Sequence, residues 1–282
     1  MTADLTGNRT TSIFKALFFC LAFTGLLACL SPLKHLLPLR FERLAYGIIG
    51  TIAALVTTWL FLRAEKKSFK EAGLHWEAKT LQRFLLGLVI GLCLSTVMVL
   101  SLVSLANLKL EPVENGNVAG FLLWSLALVP LAYMEEAAFR AYPFIHLQLA
   151  TGIWGAQIII AALFALYHVA GGQSWFSACL GPGVWSFVFG LAMIMSRGIA
   201  LPTGLHLGVN FILAAIGQQT GFASLWNIQY RTESALPQPA ESIGKAMQIF
   251  LLLVTLMLME VYRRRKTNIE SVQQRFYEKT TG

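Results

Sequence analysis

Long apolar runs alternate with short polar segments along nearly the whole chain of 282 residues. About 20 mostly apolar helical residues cross a bilayer core of about 30 Å, and on that rule the sequence divides into eight runs. We therefore predict an all-α fold, a single membrane-embedded domain over residues 1–282 built as a polytopic bundle of about eight transmembrane helices. The spans are placed at Ile13–Leu30, Leu44–Leu62, Phe84–Leu105, Val118–Tyr142, Ile158–Ala178, Trp185–Ile199, Leu201–Ile216 and Ala246–Tyr262.

The composition agrees with a membrane protein and excludes several other classes. Hydrophobic residues make up 56% of the chain and charged residues 13%, whereas soluble domains average about 45–50% and about 25%. A disordered chain, a collagen-like chain and a coiled coil are excluded, and a soluble enzyme is disfavoured. The net charge of +8 comes from basic residues that flank apolar runs, where they meet lipid headgroups. We expect contact with the bilayer and no nucleic-acid partner.

The basic residues also predict the orientation in the membrane. With eight spans and the N-terminus inside, sixteen of the 22 Lys and Arg residues lie in inner segments and six in outer loops. The positive-inside rule then places both termini in the cytoplasm, with residues 263–282 as a basic cytoplasmic tail. The compact length and short loops indicate an integral protein of a prokaryotic plasma membrane.

Polar side chains inside three of the spans require an explanation, because an unpaired ionisable group costs several kcal/mol in a membrane. They are Glu135, Glu136 and Arg140 in the fourth span, His168 in the fifth, and His206 and Asn210 in the seventh. Their concentration in three helices predicts a site shared between those helices.

The spacing of these residues indicates their chemistry. Glu136 and Arg140 lie four apart and can form an ion pair with a structural role. Glu135 is turned about 100° from Glu136 and lacks that full partner, which suits a general base. His206 and Asn210 are also four apart and can direct two hydrogen bonds to one developing oxyanion. The same groups would equally suit a transporter that relays protons or binds an ion.

Three motifs now stand in order on separate helices: Glu135-Glu-x-x-x-Arg140, Phe164-x-x-x-His168 and His206-x-x-x-Asn210. Together they resemble the CAAX-protease and bacteriocin-processing (CPBP, or Abi) family, over a motif-bearing core at residues 118–216. The resemblance implies an intramembrane endopeptidase of the glutamic type, without a cofactor, that acts on a membrane-anchored or lipidated substrate. It implies that Glu135 activates water, His168 positions it, and His206 and Asn210 form the oxyanion hole. Supporting roles are implied for Glu136, Arg140 and Phe164.

Several alternatives remain open at this stage. An older view of the family as metalloproteases would make Glu135, His168 and His206 zinc ligands, but there is no His-Glu-x-x-His, and the metal-free version is favoured. A transporter and a non-catalytic immunity or binding protein are the other readings. The motifs do not decide whether the substrate is prenylated.

Water must reach a peptide bond inside the membrane, and the predicted topology suggests how. Glu135 and His206 lie towards the cytoplasmic ends of their spans, so we expect a cavity that opens to the cytoplasm. His168 reaches the same depth only if the fifth span begins near Ile158, with Pro143 to Gln157 at the interface. A span that begins at Gly152 would place His168 too deep to join the site.

Overall fold

A computed structural model describes the backbone of residues 3–114, 116–219, 223–231 and 238–281. Ten α-helices occur in these ranges: α1 (Ala3–Leu30), α2 (Glu42–Ala64), α3 (Thr80–Leu105), α4 (Val118–Ser125), α5 (Leu128–Phe139), α6 (Tyr142–Ala170), α7 (Trp175–Ala178), α8 (Val184–Ser196), α9 (Ala200–Ala215) and α10 (Gln238–Thr281). Short 3₁₀ turns cover Ser31–Leu36, Leu39–Phe41 and Phe69–Ala72, and a π turn at Cys179–Gly183 joins α7 to α8.

The predicted all-α polytopic bundle is confirmed. Among the described residues, six helical stretches are long and apolar enough to cross a membrane. One of them, Val118–Ala170, contains α4, α5 and α6 and so accounts for more than one predicted span. Helix α9 (Ala200–Ala215) is apolar but shorter than the others.

Helix α6 reverses direction at Gly152, whose φ of 72° and ψ of −176° are not helical. The reversal is visible in the contacts with α1. Phe19 stacks on Tyr142 at 5.1 Å between ring centroids, and Phe23, one turn later, lies 6.2 Å from Tyr167. The two ends of α6 therefore meet the same part of α1. Glycine adopts a positive φ without the steric cost that a side chain would bring.

Helices α3 and α9 run parallel with their backbones in close contact. Glycines on both helices make this approach sterically feasible, because a Cβ atom would clash with the backbone of the other helix at Gly87, Gly91, Gly204 and Gly208. Small residues four apart are the usual means of bringing membrane helices together. His206 lies between the two glycines of α9, so this packing fixes its position.

The structure contains a two-stranded antiparallel ribbon that the hydrophobic pattern did not predict. Strand β1 (Leu108–Pro112) pairs with β2 (Trp226–Tyr230), with Leu108 opposite Tyr230 and Pro112 opposite Trp226. The ribbon joins the segment after α3 to the segment after α9, and it lies where both of these parallel helices end.

Side-chain contacts show which of the remaining described segments lie together at each of the two ends of the bundle. At the end we name the basic end, Glu65 contacts Lys15 and His146, Ile199 bonds to the backbone of Gly73, and Trp154 contacts Glu260. The opposite end, which we name the mouth end, holds residues 31–43, the β ribbon, residues 171–182, residues 216–219 and the start of α10. There, Lys245 lies over the ring of Phe176 and Phe41 packs on Trp124.

Candidate active site

Glu136 is fully buried near the end of α5 and has contacts with two basic side chains. Nδ1–H of His206 donates a hydrogen bond of 2.8 Å to its Oε1, and Nε of Arg140 lies 3.4 Å from its Oε2. Nη2 of Arg140 donates a further hydrogen bond of 3.0 Å to Oγ of Ser186 on α8. The spacing of four along α5 thus brings Glu136 and Arg140 together, and His206 joins them from α9.

Glu135 contacts the other side of the same imidazole. Its Oε2 lies 3.7 Å from Nε2 of His206, and its side chain is 14% exposed and lines a cavity. Consecutive glutamates on a helix point about 100° apart, which allows them to bracket one ring placed between them. His206 therefore connects a buried carboxylate to a carboxylate that is accessible from the cavity.

Aromatic rings hold His206 and Arg140 in place. The ring of Phe189 stacks on His206 with centroids 4.4 Å apart and an interplanar angle of 16°. The guanidinium of Arg140 lies 4.1 Å from the centroid of Phe164. The face of an aromatic ring attracts a cation placed over it, so the ring of Phe164 stabilises the guanidinium of Arg140. If His206 is protonated, the four groups Glu135, Glu136, Arg140 and His206 carry no net charge, which lowers the cost of burying them.

His168 lies at the site, at the end of the second half of α6. Its Nδ1–H donates a hydrogen bond of 2.9 Å to the carbonyl of Phe164, its ring meets that of Phe164 at 4.6 Å, and it lines the same cavity as Glu135 and His206. The second half of α6 begins directly after Gly152. Phe139 on α5 contacts both Phe164 and Tyr167, so this half of the helix lies beside α5 at the level of the site.

Asn210 is oriented by a residue beyond the end of its helix. Gly217 has a φ of 73°, and the backbone N–H groups of Gly217 and Gln218 bond to the carbonyls of Ala214 and Leu213. This is a Schellman motif, which ends α9 and turns the chain back. Nε2 of Gln219 then donates a hydrogen bond of 3.0 Å to Oδ1 of Asn210. The Nδ2 donor of Asn210, a residue that lines the cavity, takes no part in this hydrogen bond.

A cavity of about 2050 Å³ connects these residues to the mouth end. Its inner part is lined by Glu135, Phe164, His168, Phe189, His206 and Asn210, and its outer part by residues of the mouth end such as Lys34, Arg40, Gln173, Gln218 and Tyr230. No described residue of the basic end lines it. The cavity therefore reaches the site from the mouth end, opposite to the basic end.

Two polar atoms next to this cavity have no hydrogen-bond partner. They are Oγ of Ser95 on α3 and Oε1 of Gln248 on α10, and both residues line the cavity. Other buried helical hydroxyls, including Ser125 and Thr203, donate to the carbonyl four residues earlier. Ser95 does not, and its buried hydroxyl has no partner among the described residues.

The sequence analysis assigned no role to Ser186, Phe189 or Gln219. Ser186 and Phe189 lie in an apolar helix without a motif, and only their three-dimensional contacts with Arg140 and His206 identify them. Gln219 is a polar residue just after a glycine that ends a helix, which is a weak sequence signal for a residue that caps the site.

Within the described ranges, no group of three or more His, Cys, Asp and Glu side chains has an arrangement that could hold a metal ion. Glu135 and His206 approach each other through Oε2 and Nε2, while Nδ1 of His206 is used by Glu136 and Nδ1 of His168 by a carbonyl. Of the candidate zinc ligands, both histidines thus keep only Nε2 for a metal.

Comparison with known proteins identifies the stretch that carries these residues. Residues 116–212, about a third of the chain, match the family model described as "Type II CAAX prenyl endopeptidase Rce1-like". The matched stretch contains every residue of the three motifs, and the resemblance to the CPBP family is confirmed. No curated protein matches the chain. Gln219, Ser95 and Gln248 lie outside the matched stretch.

Proposed function

Because residues 116–212 carry the CPBP family's CAAX endopeptidase signature, we propose that this protein is an intramembrane endopeptidase of the glutamic type. The observation that carries the proposal is the pair of contacts on His206, with the buried Glu136 on Nδ1 and the cavity-facing Glu135 near Nε2. The family match supports hydrolysis of a membrane-anchored substrate. The residue roles below are our proposal.

Glu135 acts as the general base. Its carboxylate accepts a proton from a water molecule in the cavity, and the water oxygen attacks the carbonyl carbon of the substrate peptide bond. His168 assists, since its Nδ1–H is committed to the Phe164 carbonyl and its neutral ring then offers Nε2 as an acceptor to the same water. Glu135 later delivers the proton to the leaving nitrogen, the C–N bond breaks, and a carboxylate and an amine are released.

His206 and Asn210 stabilise the tetrahedral oxyanion. His206 donates to the oxyanion from Nε2 while its Nδ1–H donates to the buried Glu136, so both ring nitrogens carry a proton when the oxyanion forms. Nδ2 of Asn210 supplies the second donor, because Gln219 holds Oδ1. Donors fixed before the reaction stabilise the transition state without reorganisation. Arg140 fixes the orientation of Glu136 and does not face the cavity.

The family match is what favours a hydrolase over a transporter. In the part of the chain that the structure describes, the cavity is lined from the mouth end.

The test is peptide cleavage by purified protein in liposomes, with wild type, Glu135→Gln and Glu42→Gln compared. Glu42→Gln is the matched control, because Glu42 lines the same cavity but lies at its rim. We expect cleavage to be lost in Glu135→Gln, kept in Glu42→Gln, and unaffected by a strong chelator. Cleavage retained by folded Glu135→Gln would refute the role of Glu135. Activity that a chelator removes and zinc restores would instead establish a metal-dependent mechanism.

A further inference from the structure

The charge distribution of the two ends bears on which side of the membrane the cavity opens. The described cationic side chains of the basic end are Arg9, Lys15, Arg63, Lys66, Lys67, Lys70, Lys79, Arg83, Arg197, Arg263, Arg264 and Arg265. The mouth end has Lys34, Arg40, Arg43, Lys109, Arg231 and Lys245. The sequence that follows Arg265 contains Lys266, Arg275 and Lys279. Short segments rich in Lys and Arg remain in the cytoplasm.

The position of the cavity is independent of that charge count. Its lining extends from Glu135 and His206 through α1, α3 and α10 to Lys34, Arg40 and Tyr230 at the mouth end. At the basic end, the path is closed by packed side chains. Glu65 accepts hydrogen bonds from Tyr142 and Lys67 there, and Phe139, Tyr142 and Phe144 are fully buried.

From these two observations together, we propose that the catalytic cavity opens on the extracytoplasmic side of the membrane. Its substrate is then a translocated, membrane-anchored peptide whose scissile bond is presented from that side. The assignment of a substrate rests on the proposed endopeptidase function, whereas the assignment of the side does not.

The wall of the cavity fits this substrate class. Leu27, Met98, Val99 and Leu102 give it an apolar surface along α1 and α3, and Ser95 and Gln248 add polar side chains to the same lining. A protein that carries a prenylated CAAX cysteine is modified at its C-terminus and docks on the cytoplasmic leaflet. With the mouth on the other side, such a protein has no route to Glu135.

Cysteine labelling in intact bacterial cells tests the side of the mouth. The four native cysteines, Cys20, Cys29, Cys93 and Cys179, are first replaced by serine or alanine. Single cysteines are then introduced as Leu36→Cys at the mouth end and Trp76→Cys at the basic end, two positions that are equally exposed at 80%. A membrane-impermeant maleimide should label Leu36→Cys in intact cells and Trp76→Cys only after permeabilisation. Labelling of Trp76→Cys in intact cells, alone or together with Leu36→Cys, would overturn the proposal.

A second arm tests the substrate class in the same cells. Two reporters share one apolar anchor and one apolar peptide, and present that peptide on either the outer or the inner face of the membrane. We expect the outer reporter alone to be cleaved, and only by protein that retains Glu135. Cleavage of the inner reporter alone would overturn the proposal. If neither is cleaved while labelling gives the expected result, the endopeptidase function and its substrate fail, and the side of the cavity stands.

Discussion

Replacing Gln219 by glutamate reverses the hydrogen bonding required of Asn210 and leaves the side-chain length unchanged. In the structure, Nε2 of Gln219 donates to Oδ1 of Asn210 over 3.0 Å, which leaves the Nδ2 donor for the oxyanion in the proposed mechanism. A carboxylate at position 219 has no hydrogen to donate and accepts from Nδ2 instead. The amide of Asn210 then turns and presents Oδ1, an acceptor, where the oxyanion forms.

The size of the effect follows from the bond that must be broken. In Gln219→Glu, Nδ2 of Asn210 donates to the introduced carboxylate, and a hydrogen bond to a charged group contributes about 1.5–3 kcal/mol. This bond must be broken for Nδ2 to face the oxyanion in the transition state. About 1.4 kcal/mol corresponds to a tenfold change, so we expect Gln219→Glu to lower kcat about 10- to 150-fold with little change in KM. Gln219→Leu only removes a neutral hydrogen bond of about 0.5–1.5 kcal/mol, and kcat should fall about two- to tenfold.

Peptide cleavage in liposomes, measured from pH 5 to 8, separates this mechanism from a structural defect. At low pH the introduced carboxyl group becomes protonated and can again donate to Oδ1, so the kcat of Gln219→Glu should recover towards wild type as the pH falls. Gln218→Glu places the same charge on the neighbouring cavity residue and should retain activity. In an Asn210→Ala background, Gln219→Glu should have no added effect. A full additional loss in that background would refute the coupling between the two residues.

Three further predictions concern stability and substrate binding. Arg140→Ala leaves the buried Glu136 without its cation, so the protein should lose about 3–5 kcal/mol of stability; an unchanged Tm in detergent would contradict this. Ser95→Ala should raise KM without lowering Tm, because the Ser95 hydroxyl has no hydrogen-bond partner. The control Ser125→Ala should lower Tm, because it removes a hydroxyl that is hydrogen-bonded. If both variants lowered Tm equally, the Ser95 hydroxyl would be hydrogen-bonded and the prediction would fail. Burial raises the pKa of Glu65, but hydrogen bonds from Lys15, Lys67 and Tyr142 outweigh it and lower the pKa from 4.5 to about 2. Because the pKa of Glu65 is lower in the folded than in the unfolded state, the stabilisation by Glu65 is complete above about pH 4.5 and is lost as the pH falls towards 2. The difference in Tm between wild type and Glu65→Gln should therefore narrow over that pH range. A constant difference would contradict the ion-pair network.

The sequence was sufficient to predict the helical bundle and the residues that meet in its centre. Apolar runs identify membrane helices because a spanning segment must satisfy its own backbone hydrogen bonds. Intramembrane charges identify a site because they are too costly without partners. For these reasons Glu135, Glu136, Arg140, His168, His206 and Asn210 were found, although only the structure shows that one imidazole contacts both glutamates.

What the sequence did not reveal depends on long-range geometry. Nothing in the apolar run after Tyr142 shows that Gly152 adopts a positive φ, since glycine is also frequent in straight membrane helices. The end of the bundle at which the cavity lies was also not readable from the pattern, because the cavity is lined by α1, α3 and α10 together and their placement in space leaves no periodic signal. Gln219 was missed because its role exists only once the Schellman motif at Gly217 turns the chain.

The close contact between α3 and α9 has a consequence for how this protein can be divided. Helix α9 carries His206 and Asn210 and lies in the stretch matched to the family, whereas α3 lies outside it. Gly204 and Gly208 of α9 face the backbone of α3, which lies outside residues 116–212. That stretch on its own would therefore expose the glycine surface of α9 to lipid. A chain cut between α3 and α4 would yield two fragments with complementary surfaces, and catalytic competence would then be a property of their reassociation rather than of either fragment.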